Sequence, residues 1–282
     1  MNVRTMKTFF VLLGYNGILM IIGILTFCIV FGSNPSYSRG NYGEVLALYC
    51  LITMLEVGMV LFVVPALTAG AISGEREKQT LEILLTTTLK PRQIVWGKLA
   101  SSMSLLLLLV ISSLPIVSIV FSIGGIEFKD LIQLVFTATI TSFYIGSIGI
   151  YFSTLFKKSI PATIVTYGVT LLVSVGTIFI LALIYQMAQG NETTVKTGVE
   201  IIILLLNPIV TLLSMLSVQY GAGSTLGDLL LSLGNKSIVM NEWAGYWFIL
   251  SVVVQIVIGV ILMECAARRL EPNRNNKKKK PL

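Results

Sequence analysis

The chain has 282 residues, of which 55% are hydrophobic and only 12% are charged, and its formal net charge at pH 7 is +7. Soluble domains carry about 25% charged residues, so this composition excludes an ordinary soluble fold and indicates an integral membrane protein. The sequence contains no histidine, which removes the commonest general base and the commonest metal ligand.

Six apolar runs are long enough to cross a bilayer as helices, which takes about 20 residues. They cover residues 10–32, 45–72, 99–123, 131–156, 160–187 and 244–267. The first run is too long for the core of a signal peptide and lacks a convincing cleavage site after it, so we interpret it as a retained span. The pattern predicts an all-α integral membrane protein with six transmembrane helices in a single domain, 1–268, followed by a basic tail, 269–282.

Three cysteines, Cys28, Cys50 and Cys265, lie in or at the ends of these apolar runs and lack the spacing of metal ligands. We therefore expect them to be small core residues. A disulfide between Cys28 and Cys50 stays open, because both can lie in the outer halves of their spans.

Lysine and arginine are distributed unequally between the two sides of this topology. Sixteen of the 20 lie on the side of the termini, and only Arg39, Lys129, Lys196 and Lys236 lie on the other. Cytoplasmic loops collect positive charge. The distribution predicts a multi-pass protein of the plasma membrane with both termini in the cytoplasm.

An apolar segment on the predicted outer side, 199–234, does not read as a simple span. It is interrupted at Asn207-Pro208 and again at Gly221 and Gly223, and proline interrupts a helix. Two extra spans would each be too short for the bilayer. A pair of re-entrant or interfacial helices before the last span keeps the topology, and both alternatives stay open.

The most charged stretch, "SGEREKQTLEILLTTTLKPRQIVWGK", covers residues 73–98 between the second and third runs. Ser73 is a candidate helix cap, Lys78 and Glu82 have the spacing of an ion pair, and Pro91 marks a stop. Apolar residues recur with a helical period at Leu81, Leu84 and Leu85. The pattern predicts one short amphipathic helix at the inner membrane face, at about 75–87.

Such a helix has two interpretations. One is an interfacial helix that lies on lipid, but helices of that kind favour lysine and arginine on the polar face. Here three acids stand against two bases before Thr86. The acidic face favours a protein partner over an anionic leaflet.

The same stretch resembles the signature of type-2 ATP-binding-cassette (ABC) exporter permeases. The matching elements are Ser73, the triplet Glu75-Arg76-Glu77, Thr80-Leu81-Glu82, the pair Leu84-Leu85, the threonines 86–88 and Gly97-Lys98. The chain departs from the family pattern at Gln79, where glycine is frequent, and at Thr87-Thr88, where a Thr-Pro pair is frequent. The resemblance extends over the whole chain, including the six spans and the broken apolar segment.

The resemblance implies a transport function with partner proteins. The stretch would be a coupling helix that docks on a separate cytoplasmic ABC ATPase, which binds the ATP and Mg²⁺. A short inner loop, 156–161, would make the second contact, and a second permease subunit, identical or related, would complete the transporter. The docking residues implied are Glu75, Arg76, Glu77, Thr80, Leu81, Glu82, Leu84 and Leu85, with Lys157, Lys158 and Ser159 in the loop.

The chain itself lacks the phosphate-binding loop G-x-x-x-x-G-K-[ST]. Lys98 of the Gly97-Lys98 pair is followed by Leu99, and Arg92 occupies the position of the first glycine. We therefore expect no catalytic residue, cofactor or metal site in this chain, and no nucleic-acid partner.

Glu56 is the only acid well inside a predicted span, and an ionisable residue at that depth is a functional candidate. It would line the translocation path or a subunit interface, or else be a protonated carboxyl bonded to a neighbouring helix. The third run is rich in serine, which favours close helix packing.

Two other functions would need residues that this sequence lacks. An intramembrane metalloprotease needs histidine ligands, and a secondary transporter would show several membrane charges and often an internal repeat. A non-transporting membrane scaffold that works with an ATPase stays the main alternative. No residue indicates the substrate.

Overall fold

The computed structural model describes residues 6–32, 42–85, 90–123, 127–180, 183, 203–220 and 244–270, and these ranges contain helices and no strand. The long helices are α1 (Met6–Gly32), α2 (Tyr42–Thr68), α5 (Pro91–Ile123), α6 (Phe128–Leu155) and α9 (Ala244–Leu270). The shorter ones are α3 (Ser73–Glu77), α4 (Thr80–Leu85), α7 (Ser159–Leu171) and α8 (Pro208–Tyr220). A π-helical turn, Leu172–Gly176, prolongs α7 and leads into further helix up to residue 180.

Five helices in the described ranges are long and apolar enough to cross a membrane. They comprise α2 together with α3, then α5, α6, α7 with its prolongation, and α9. Within α1 the apolar stretch described in full is the shorter Leu12–Leu25. The all-helical membrane fold is therefore confirmed, while the count of six spans stays a prediction that depends on α1.

Helix α6 lies at the centre of the bundle and contacts α2, α5, α7 and α9. Its apolar window is 67% buried, against 44% or less for the other four spans. The residues that allow this close packing around α6 are small. Gly146 and Gly149 lie against α2, and Ser142 and Ser147 bond back to carbonyls of their own helix. Small residues of this kind let helix backbones approach closely.

Buried apolar residues form three clusters that follow one another along the bundle. One joins the beginning of α2 and α6 with α8, through Tyr49, Leu134 and Met215. A middle cluster contains Tyr15, Val64 and Ile145. The third joins the end of α2, α6 and α9 to the beginning of α5. We call the end with the third cluster the inner end, after the predicted orientation.

The predicted break at Asn207-Pro208 is confirmed, and Asn207 explains it. Its buried side-chain oxygen accepts hydrogen bonds from the N–H groups of Ile209, at 2.8 Å, and Val210, at 3.2 Å, which caps α8. Its amide nitrogen donates to the carbonyl of Ser174 and to the hydroxyl of Thr177. Proline then occupies the first position of α8, where no N–H is needed.

Helix α8 is inserted between other helices instead of lying on a surface. Residues 210–216 are all buried, and α8 contacts α2, α6 and α9. The hydroxyl of Thr211 accepts a hydrogen bond from Gln255, in the middle of α9, at 2.7 Å. This placement supports the re-entrant alternative for the apolar segment over the interfacial one. The glycine pair at 221 and 223 lies outside the described residues.

The expectation for the cysteines is correct only for Cys50, which is buried. Cys28 and Cys265 are exposed, each on the outward side of its helix. Small size alone does not place a residue in the core when the surrounding solvent is itself apolar.

Candidate functional site

The charged stretch folds as two short helices, which corrects the prediction of one helix at about 75–87. Helix α3 ends at Glu77, and α4 begins at Thr80. Between them Gln79 has a φ of 59°, a left-handed conformation that costs a non-glycine residue roughly 1–2 kcal/mol. The family pattern frequently has glycine at the position of Gln79. This departure was the feature of the sequence that could have indicated the break between α3 and α4. Residues 86–89 and the side chains of Glu82 and Leu85 lie outside the description.

The cap of α3 comes from α6, and this corrects the role predicted for Ser73. The hydroxyl oxygen of Ser153 accepts hydrogen bonds from the backbone N–H groups of Ile72 and Ser73, both at 2.9 Å. Ser153 in turn donates to the Ser73 hydroxyl at 3.2 Å, and that hydroxyl donates to the carbonyl of Ala69 at 3.1 Å. Helix starts leave N–H groups that need partners, and here a residue 80 positions away supplies one acceptor for two of them.

Two side chains of α3 join it to the short loop between α6 and α7. Arg76 donates to the carbonyls of Thr154, at 3.3 Å, and Phe156, at 3.2 Å. One carboxylate oxygen of Glu77 accepts from the hydroxyl of Ser159 at 2.6 Å and from its N–H at 3.2 Å. The structure therefore brings together the two inner segments that the sequence indicated as separate contacts.

Hydrogen bonds from Ser159, with smaller contributions from Lys158 and Lys78, lower the pKa of Glu77 below its ordinary value. A lowered carboxyl pKa means that the folded arrangement favours the charged form. The contribution of this contact to stability is present above the ordinary carboxyl pKa. It is lost only as the pH falls through the lowered value, so the contact is complete at neutral pH.

Two ion pairs lie at the inner end, and one of them connects this segment to a span. Glu75 pairs with Lys98 near the beginning of α5. Arg92, also in α5, pairs with Glu264 of α9, with its Nε at 2.6 Å from the carboxylate. Sequence reasoning assigned Glu75, Arg76 and Glu77 to an external partner and did not foresee these internal contacts.

Leu81 points inward, in contrast to its predicted role as an external anchor. It is 5% exposed and packs in the third cluster with Ile72, Val95 and Leu99. Leu84 is half-buried, while Lys78, Gln79 and Thr80 are exposed, as are Lys157 and Lys158 of the loop. These exposed side chains are polar, and the half-buried Leu84 and the exposed Ile160 are the apolar candidates of the joined segments.

Glu56 of α2 is fully buried within this one chain. Ser113 of α5 donates to one carboxyl oxygen at 2.7 Å, and the second oxygen has no hydrogen-bond partner among the described residues. One residue before, Ser112 accepts from Asn16 of α1 at 2.8 Å. This placement favours the interpretation of a carboxyl bonded to a neighbouring helix over a position facing a second subunit. The serine-rich pattern of the third run was the signal for these partners.

We expect Glu56→Gln to leave stability nearly unchanged, because the neutral amide has the same shape and its oxygen can accept the Ser113 bond. Ser113→Ala is expected to lower the free energy of unfolding by about 1–3 kcal/mol, since it leaves a buried carboxyl without a donor. Thermal unfolding in detergent measures both. Ser104→Ala is the control, because this exposed hydroxyl bonds only within α5. A strong loss of transport in a fully stable Glu56→Gln protein would show instead that the acid itself is required.

The chain is similar to known proteins over most of its length. The family model described as "ABC-2 family transporter protein" matches residues 8–266. Two relatives are named "Inner membrane transport permease YhhJ", one from Escherichia coli (strain K12) and one from Shigella flexneri, and each is 31% identical over 162 residues. The alignment covers 57% of this chain and 37% of each relative, so the chain spans well under half of their length. With its membrane-spanning helices and a family match over nearly the whole sequence, the chain belongs to the ABC-2 transporter family.

Proposed function

We propose that this permease is the membrane-spanning subunit of an exporter that uses ATP hydrolysed by a separate cytoplasmic ATPase. A second permease subunit, identical or related, would complete the path across the membrane. The segment 73–85 and the loop 156–161 together would receive the ATPase. The proposal combines the family membership with the geometry of the inner end.

One observation supports the coupling role most directly, namely that the two inner segments form a single connected structure. Arg76 and Glu77 bind the loop, Ser153 caps α3 from α6, and Glu75 pairs with Lys98 at the start of α5. A force applied to either segment therefore reaches α2, α5, α6 and α7 together. An interfacial helix that merely lay on lipid would need none of these contacts.

The central test is assembly with an ATPase. The permease and the ATPase encoded in a neighbouring reading frame are co-expressed, purified and placed in liposomes. We expect a stable complex in which the permease raises the rate of ATP hydrolysis. Leu84→Asp is expected to weaken the complex strongly, because a charge then replaces an apolar side chain at the contact. Membrane insertion should be unchanged, since Leu84 lies outside the long spans.

The same experiment separates transport from the scaffold alternative. A transporter hydrolyses ATP and moves a substrate into or out of the vesicle, whereas a scaffold hydrolyses ATP without moving one. A Leu84→Asp permease that retains its ATPase at full stoichiometry would contradict the assignment of this segment as the joint. Failure of every neighbouring ATPase to bind the wild-type chain would contradict the proposed function itself.

A further inference from the structure

The charge that the joined inner segments present outward differs from the charge that their sequence suggests. The segment 73–85 contains three acids and two bases, which points to an acidic face. In the structure two of these acids have partners within the chain, although Glu77 stays exposed. Glu75 is paired with Lys98, and Glu77 holds the N–H and hydroxyl of Ser159.

The lysines of the same region have no ion-pair partner among the described residues. Lys78, Lys157 and Lys158 are exposed, and no ion pair of theirs appears among the described residues. Lys78 and Lys158 both act electrostatically on the carboxylate of Glu77. Lys78 follows Glu77 directly in the chain, and Lys158 precedes Ser159, which binds the Glu77 carboxylate, so both lysines flank this contact. We call the exposed residues Lys78, Lys157 and Lys158 the lysine face.

Resting on the function proposed above, we infer that the lysine face is the recognition surface for the ATPase, and that the partner meets it with a cluster of aspartate and glutamate side chains. Complementary charge across an interface steers the encounter and fixes the register. Here it would do so on two segments at once, because Lys78 follows α3 and the other two lysines belong to the loop.

A protein partner fits this surface better than anionic lipid does. The backbone that carries the lysines is fixed by the bonds from Arg76 to Phe156 and from Ser159 to Glu77. A fixed constellation lowers the ordering cost of binding a partner of matching shape. Attraction to a charged leaflet requires only basic groups near its surface and no fixed arrangement of them.

The test uses the full permease with its three lysines reversed (Lys78→Glu, Lys157→Glu and Lys158→Glu) and the purified ATPase that stimulates the wild-type chain. Binding is measured in a neutral detergent without lipid. We expect the Kd to rise by about tenfold or more at 50 mM salt, and the difference to shrink at 500 mM salt because screening weakens charge pairs. The matched control is Arg268→Glu, an exposed inner-end arginine outside the lysine face. It makes the charge change of one of the three lysine substitutions and should leave the Kd within about twofold.

Three outcomes are distinguishable. Recovery of binding when acidic residues of the ATPase are changed to lysine would identify the complementary cluster. An unchanged Kd for the reversed permease, with wild-type stimulation of ATP hydrolysis, would overturn the lysine face and leave the proposed function intact. An effect that appears only when phosphatidylglycerol is added would also overturn it, because the lysines would then act on anionic lipid.

Discussion

Gly149→Ala is expected to lower the free energy of unfolding by about 1–3 kcal/mol, the usual cost of overpacking a close contact. A Cβ atom at this position would lie 2.1 Å from the hydroxyl oxygen of Thr68 and 2.9 Å from its Cβ. Thr68 cannot move aside easily, because it is fully buried and its hydroxyl donates to the carbonyl of Val64 at 2.8 Å. Helix α6 must then separate from the end of α2, and the packing near the inner end of the bundle loosens.

The measurement is thermal unfolding of the purified permease in detergent, with Gly168→Ala as the matched control. Gly168 is also a helical glycine, in α7, but a Cβ there would meet nothing within 4 Å. Alanine is favoured over glycine inside a helix by about 1 kcal/mol, so this control should be as stable as the wild type or slightly more stable. Equal unfolding temperatures for the two variants would contradict the close approach of α2 and α6.

Ser153→Ala is expected to destabilise the inner end and to reduce permease-dependent ATP hydrolysis. The substitution removes the acceptor of two buried N–H groups, those of Ile72 and Ser73, and each unsatisfied group costs about 1–3 kcal/mol. The two N–H groups lie at the junction between α2 and α3, so we expect the segment 73–85 to be destabilised more than the spans. Hydrogen exchange at these two amides should accelerate by at least about tenfold relative to the wild type.

Ser104→Ala again serves as the control, because its hydroxyl bonds only to the carbonyl of Ser101 in its own helix. Its exchange pattern and stability should match those of the wild type. Wild-type protection of the amides of residues 72 and 73 in the Ser153→Ala protein would show that another group caps α3.

Hydropathy and charge spacing were sufficient to predict much of the fold from the sequence. Spans of about 20 apolar residues are visible in the sequence because the bilayer requires them, and the structure contains five such helices near the predicted positions. The interruption at Asn207-Pro208 was equally readable, because proline cannot continue a helix and asparagine caps one. These are local signals.

The candidate site depended on contacts that are distant in sequence. The cap by Ser153 crosses 80 residues, and the bond between Ser113 and Glu56 crosses 57. The inward position of Leu81 follows from the break at Gln79, because a helix that restarts at Thr80 presents a different face from one that runs through. A helical pattern of leucines indicates an apolar side, but it does not say whether that side faces the protein's own core or a partner.

The π-helical turn in α7 affects how this region can be compared between relatives. The N–H of Thr177 donates to the carbonyl of Leu172, five residues earlier, where a regular helix would reach back four. The turn thus holds one residue more than an α-helical turn, and one residue corresponds to a rotation of about 100°. That phase shift helps to place Ser174, whose carbonyl accepts the Asn207 amide at 2.7 Å. A homologue with an uninterrupted helix here would align with a single-residue gap inside Leu172–Gly176, so such a gap within a membrane span would mark the evolutionary gain or loss of this turn and not an error of alignment.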